Sequence, residues 1–312
     1  MTKINYFRNL FLRLKIPEYK KLVDELVLGD YDFYNGYARR FSKLNDSTIN
    51  QIGRGDLQEF FYNFGGLTFK ISEDTTDEDR VSYAIYDEKM TESLCMLIFV
   101  KADERIAYIE TLSNFPNCAI QGMPKTRGGS LILGLTLDFI KKVLKNKYNL
   151  KYVWLKDNSF FYCQEAKEKI DMDSLYMFTR GNTWYGRYEF LPFNINTGTL
   201  DFDSLIDYSL NKKLIRTIRL KCTDIEKYLL DILYNKPSYE QYISKSTIKK
   251  LCKDHNEKPI IEFFAIFMKE YDQTCIFFSL IYKQVMNDIG MINLHGRPYY
   301  LPLNDESRHI NF

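Results

Sequence analysis

A chain of 312 residues with 45% hydrophobic and 27% charged positions can bury a full core, as one large domain or two small ones, which excludes a disordered polymer. The net charge of +2 removes any global electrostatic case for nucleic acid or an anionic membrane as partner. Aromatics reach 16%, alongside many Lys, Asn and Ile; this partly reflects an AT-rich coding sequence, so aromatics alone carry little argument.

From Met1 to about Asn63 the apolar residues return every three or four positions, in EYKKLVDELVLGDYDFYNGYARRF and then GDLQEFFYNF, which predicts helices. Gly65-Gly66 ends that run. GLTFKI, RVSYAIYDE and SLCMLIFVKADERIAYIETL then predict an antiparallel meander, the last segment folding into a hairpin at KADER. The loop SNFPNCAIQGMPKTRGG leads into a helix from Ser130 to about Lys147, followed by the apolar strand YVWLKD. Beyond Asp157 a helix capped by Asp171 or Asp173 is expected, and TWYGRYEFLPF reads as a turn running into a strand that Pro192 limits. From about Leu200 the strand signals disappear and amphipathic helices dominate, among them FDSLIDYSLNKKLIRTIRL and STIKKLCKDH. The apolar stretch IIEFFAIFMKEYDQTCIFFSLIYKQVM carries Glu262, Lys269, Glu270 and Asp272, so it reads as a buried helix pair or kinked core helix and not as a membrane span.

Six scattered cysteines without CxxC pairs suggest reduced thiols in an intracellular setting. Only three histidines are present, His255, His295 and His309, which leaves little material for a zinc site or a histidine-based triad, and no metal is expected. Cys163 has no histidine near it in sequence and reads better as a buried thiol than as a nucleophile.

The stretch Lys125-Thr126-Arg127-Gly128-Gly129-Ser130 is the one turn whose chemistry stands out. A glycine turn opening a helix presents backbone N–H groups at the positive end of the dipole, which suits phosphate or pyrophosphate. Gly128 and Gly129 allow close approach to the main chain, Ser130 is small enough to cap, and Lys125 and Arg127 add charge. Neither a P-loop nor a dinucleotide fingerprint is present, and a plain tight turn before a core helix is the competing reading.

The order of parts, an antiparallel meander, a basic glycine turn opening a long helix, a further strand, then an aromatic stretch into a last strand, resembles the GNAT superfamily of acetyl-CoA-dependent N-acetyltransferases. In that family the turn reads [Q/R]-x-x-G-x-[G/A], here with Lys125 first and Ser130 last. The family's Y-x-x-x-G-F pattern is similar to Tyr185-Gly186-Arg187-Tyr188-Glu189-Phe190, with Glu189 in place of the glycine. DNSFFYC followed by GNTWYG resembles a divergent GNAT-like group encoded by large DNA viruses. The resemblance implies pyrophosphate binding around Lys125, Arg127, Gly128, Gly129 and Ser130, with Glu110 as general base, Tyr185 as the acid that protonates the thiolate, and Asn158 orienting the pantetheine or substrate. Each has a plain counterpart: an outward charge on an alternating strand for Glu110, a core aromatic for Tyr185, a helix cap for Asn158.

The expected fold is therefore α+β: a GNAT-like mixed, mostly antiparallel sheet flanked by helices, with a helical segment over 1–64, an acyl-CoA-binding core over 65–199 and a helical region over 200–312. The expected function is transfer of an acetyl group from acetyl-CoA, the co-substrate, to an amine, the acceptor being a small molecule or a protein. The alternative is a catalytically inactive GNAT-like fold acting as a viral structural or protein-interaction module. Expected partners exclude nucleic acid and membrane and include a protein docked on the C-terminal helices; the expected location is intracellular, in host cytoplasm or a virion.

Overall fold

The computed structural model describes residues 49–52, 57–87, 93–113, 118, 120–123, 128–164, 166–194, 199–200, 202–241, 244–270 and 275–303. In chain order the strands are β1 (Ile49–Ile52), β2 (Leu57–Phe64), β3 (Leu67–Asp74), β4 (Val81–Tyr86), β5 (Leu94–Lys101) and β6 (Ile106–Leu112). Helix α1 (Gly128–Phe139) continues through a π-helical turn, Ile140–Leu144, into Lys145–Tyr148. Next come β7 (Tyr152–Lys156), β8 (Phe160–Cys163), β9 (Glu168–Asp171), α2 (Met172–Arg180), β10 (Leu191–Asn194) and β11 (Thr199–Leu200). Helices α3 (Phe202–Thr217), α4 (Cys222–Asn235), α5 (Lys245–His255), α6 (Ile260–Glu270) and α7 (Cys275–Ile289) follow, and β12 (Pro298–Pro302) closes the described chain. The fold is α+β and forms two compact units, a sheet unit that ends at Lys156 and resumes at Pro298, and a helical unit from Asp157 to Arg297.

In the sheet unit the strands run in the order β1-β2-β3-β4-β5-β6-β7-β12. Every pairing is antiparallel except β6 with β7, which are parallel over Ile106↔Tyr152 to Ile109↔Leu155 and joined through α1. Alternation fixes which residues enter the core: Ala107 and Ile109 of β6 and Val153 and Leu155 of β7 are buried, while Tyr108 and Trp154 point to the other face. There Phe99, Tyr108, Trp154 and Tyr300 stand opposite one another across β5, β6, β7 and β12, with Tyr108 and Trp154 stacked at 3.9 Å between centroids.

Helix α1 packs its apolar side on the core face. Fully buried Phe139 meets Phe60 and Tyr62 of β2 and Tyr83 of β4 at 5.6, 5.3 and 5.5 Å between ring centroids. The Tyr62 hydroxyl donates to Asp138, and at the far end Lys147 Nζ donates to Glu73 Oε1 at 2.5 Å, so polar contacts fix the helix at its edge as well. Asn149 in the left-handed conformation terminates it.

The helical unit is built on an aromatic centre. Phe178 of α2, Phe264 of α6, and Phe278 and Tyr282 of α7 are nearly devoid of exposure, with Phe178 and Phe264 4.8 Å apart and Phe278 and Tyr282 5.1 Å apart. Ile225, Leu229 and Leu233 of α4 and Ile248 of α5 extend the same core. The apolar stretch expected as a buried helix pair is the pair α6 and α7, and no helix among the described residues is long and apolar enough to cross a membrane.

Three expectations are corrected, and one element was not anticipated. The segment to Asn63 is strand, not helix, where it is described: Phe60, Tyr62 and Phe64 are buried while Phe61 and Asn63 are less so, a period of two that a run of adjacent aromatics conceals in the sequence. Residues 1–48 lie outside the described residues. The strand beside β7 is β12, from the end of the chain, so the helical unit is an insertion within the sheet unit and the chain does not divide into three consecutive segments. The thiols are not all reduced: Cys95 pairs with Cys118 in the sheet unit and Cys163 with Cys275 in the helical unit, which removes Cys163 as a nucleophile. Finally, β8 and β9 form a hairpin ahead of α2 that the sequence did not announce.

Candidate functional site

The glycine turn opens α1 at the end of the sheet where β6 finishes. Gly128 is buried at the first helical position, and Gly129 and Ser130 are half-buried behind it. Lys125 and Arg127 lie outside the described residues. Leu131 packs beside the β2–β3 turn, where a Cβ on Gly65 would come within 3.3 Å of its Cδ1. The start of α1 thus lies at the same end of the sheet as the C-terminal end of β6.

Strand β6 is irregular at that end. Ile98 pairs with Ile109 and Leu97 with Thr111, so Glu110 is the extra residue of a β-bulge, with no partner on β5. Its carboxylate is exposed and accepts a hydrogen bond from the Tyr108 hydroxyl, whose pKa is raised by burial first and by Glu110 second. The parallel pairing with β7 stops at Ile109↔Leu155, leaving Glu110 to Leu112 without a β7 partner. Among the described residues, no strand pairs with the β7-facing side of Glu110 to Leu112.

Tyr185 and Asn158 belong to the helical unit, whereas Glu110 and the glycine turn belong to the sheet unit. Tyr185 lies in a short 3-10 turn, Tyr185–Tyr188, with its ring against Trp184 and Phe190 at 4.7 and 5.9 Å. Burial first, then the nearby Asp157 and Tyr188, hold its phenol well above the usual tyrosine pKa and keep it protonated. Glu189 closes the turn at φ 69° and ψ 14°, the left-handed conformation that favours glycine. The departure at that position thus keeps the backbone shape and bears its steric cost. Gly186 has a different reason to lack a side chain: a Cβ there would meet Asn182 Oδ1 at 2.3 Å, the Tyr208 hydroxyl at 2.6 Å and Thr183 Oγ1 at 2.7 Å.

The helical unit also gathers carboxylates that sequence reasoning treated separately. Asp157 N–H donates to the Arg297 carbonyl and Gly296 N–H donates to the Asp157 carbonyl, which locks the chain after β7 against the 293–297 turn. Met172 N–H donates to the Ser159 carbonyl, which brings up the start of α2. As a result Asp157, Asp171, Asp173 and His295 converge. Asp157 is fully buried, and burial raises its carboxyl to about 7 despite hydrogen bonds from Ser159. Asp173 is 2% exposed, and burial raises it to about 6 against bonds from the Ser174 and Leu294 N–H groups. Asp171 and Asp173 were expected only as helix caps, and Asp171 does occupy the N-cap, but without a side-chain capping bond. The D-x-D spacing was visible in sequence; the histidine that joins it was not.

Compared with known proteins, the chain matches no family model, no curated protein and no solved structure.

Proposed function

We propose that the chain is a GNAT-like acetyltransferase that moves an acetyl group from acetyl-CoA to an amine. The observation that supports this reading is the single parallel pair in an otherwise antiparallel sheet: β6 carries a bulge at Glu110, its end is unpaired with β7, and α1 connects the two strands from a glycine turn. In such a site the N–H groups from Gly128 to Leu131 hold the pyrophosphate at the helix terminus, and the free edge of β6 pairs with the pantetheine amides. Glu110 receives the proton of the attacking amine.

Isothermal titration with acetyl-CoA and with CoA tests the reading on the wild type, on Gly128→Asp and on the double variant Lys125→Ala/Arg127→Ala. The charge-removal pair leaves buried Gly128 unchanged and so controls for misfolding. Saturable binding that both variants weaken by tenfold or more supports the site. No binding by folded wild-type protein at millimolar ligand rejects it. That result leaves the second reading, a protein-interaction module, which the burial of Gly128 and the departures at Lys125, Ser130 and Glu189 favour. A docked protein would find exposed Tyr234 on α4, which lines a concavity of about 310 Å³ together with Leu230, Asp231 and Lys245. The two disulfides fit a virion or another oxidising compartment better than reducing cytosol.

A further inference from the structure

We infer that Asp171, Asp173 and His295 form a binding site for one first-row divalent transition cation, Mn²⁺ or Zn²⁺, in the helical unit. The site goes beyond the acyl-transfer reading and stands or falls independently of it. One ligand atom from each of the three residues lies within 4.8 Å of the other two, a spread that a single ion with metal–ligand bonds near 2.1 Å closes with small side-chain movements. His295 Nδ1 and Asp171 Oδ1 are 3.6 Å apart, too far for a hydrogen bond and close to the separation of two ligands on one ion.

The buried polar atoms point the same way. Asp173 Oδ1 and His295 Nδ1 are both buried without a hydrogen-bond partner, and so is Oδ2 of Asp157, whose carboxyl is close enough to feel the charges of Asp173 and Asp171. Orphaned acceptors in such a place cost about 1–3 kcal/mol each unless something satisfies them. Asp171 is likewise free of the capping bond its position invites. A dication satisfies these atoms together and balances three carboxylates with which no lysine or arginine among the described residues forms an ion pair; Arg297 in the neighbouring turn is engaged with Asp207 at 3.1 Å.

The donor set selects the ion. One imidazole with two carboxylates suits borderline first-row cations, whereas Mg²⁺ and Ca²⁺ favour all-oxygen shells. Three protein ligands leave at least one position for water. Because the ligands come from the start of α2 and from the turn after α7, and Asp157 from the exit of β7, the ion ties together segments that are far apart in the chain.

The test is electron paramagnetic resonance of chelator-stripped full-length protein titrated with Mn²⁺ at pH 7.5, with Zn²⁺ as competitor. One bound Mn²⁺ per chain, displaced by Zn²⁺ and showing hyperfine coupling to an imidazole nitrogen in pulsed spectra, is expected. Asp173→Asn and His295→Gln should each weaken binding by about 10–100-fold, and His295→Gln should abolish the nitrogen coupling. The pulsed experiment on wild type needs no variant and so survives a folding failure. No stoichiometric Mn²⁺ or Zn²⁺ at 1 mM, or a bound ion without nitrogen coupling, overturns the assignment.

Discussion

Replacing Phe139 with alanine is the most direct perturbation of the packing that holds α1, and with it the glycine turn, on the sheet. The ring is fully buried and touches three other aromatics, Phe60, Tyr62 and Tyr83, at 5.3 to 5.6 Å. Phe→Ala in a core costs about 3–5 kcal/mol, as lost transfer energy plus the cavity left behind. Rigid rings on strands β2 and β4 cannot collapse into that cavity, so the upper part of the range, about 4 kcal/mol, is expected. With a urea m-value of about 2 kcal/mol/M the midpoint falls by roughly 2 M.

The chain's two tryptophans make the assay specific to one unit: Trp154 lies on β7 of the sheet unit and Trp184 in the helical unit. In a Trp184→Phe background the fluorescence of Trp154 reports the sheet unit alone, which avoids assuming that both units unfold together. Phe139→Leu, which retains most of the apolar bulk, should cost about 1–1.5 kcal/mol in the same assay. A Phe139→Ala midpoint within about 0.5 M of its parent, equivalent to about 1 kcal/mol, would show that α1 is not packed against β2 and β4 as described.

Further outcomes follow from single positions. Glu189→Gly relieves a left-handed backbone at an exposed residue and should stabilise the helical unit by about 0.5–1 kcal/mol, measured as a raised urea midpoint of Trp184 fluorescence; a loss of stability would refute the backbone argument. Gly186→Ala drives a methyl group into Asn182, Thr183 and Tyr208 and should destabilise by about 1–3 kcal/mol in the same assay, with an unchanged midpoint counting against the close approach. Cys163→Ser/Cys275→Ser opens a link spanning 112 residues, for which loop entropy sets a loss of up to about 5 kcal/mol. Non-reducing peptide mapping of the wild type should recover that cross-link, and its absence from air-oxidised protein would exclude the pairing.

Much of the sheet unit is legible from alternation. Strands β3 to β7 and helix α1 lie where the sequence predicts them, because one face of each strand is buried and the helix begins at glycines that end the preceding loop. Strand β2 is not, since Phe60, Phe61, Tyr62 and Phe64 crowd apolar residues onto both faces and blur the period. Strand β12 escapes for another reason: PYYLP is five residues long with proline at both ends, and its partner β7 precedes the entire helical unit. Pairing across such a separation leaves no local signal. The same holds for Cys163 with Cys275, and for His295 with Asp171, whose proximity depends on how the helical unit closes. At the proposed acyl-transfer site, Glu110 was identifiable as a charge on an alternating strand; that it occupies a bulge was not, because a one-residue register shift depends on the partner strand.

Amide hydrogen–deuterium exchange with and without acetyl-CoA tests the central claim most directly, because it reads the proposed contacts at the main chain. The account predicts slowed exchange confined to the start of α1, Gly128 to Leu131, and the unpaired end of β6, Glu110 to Leu112. Unchanged exchange at both segments under saturating acetyl-CoA, or protection restricted to the helical unit, would contradict it.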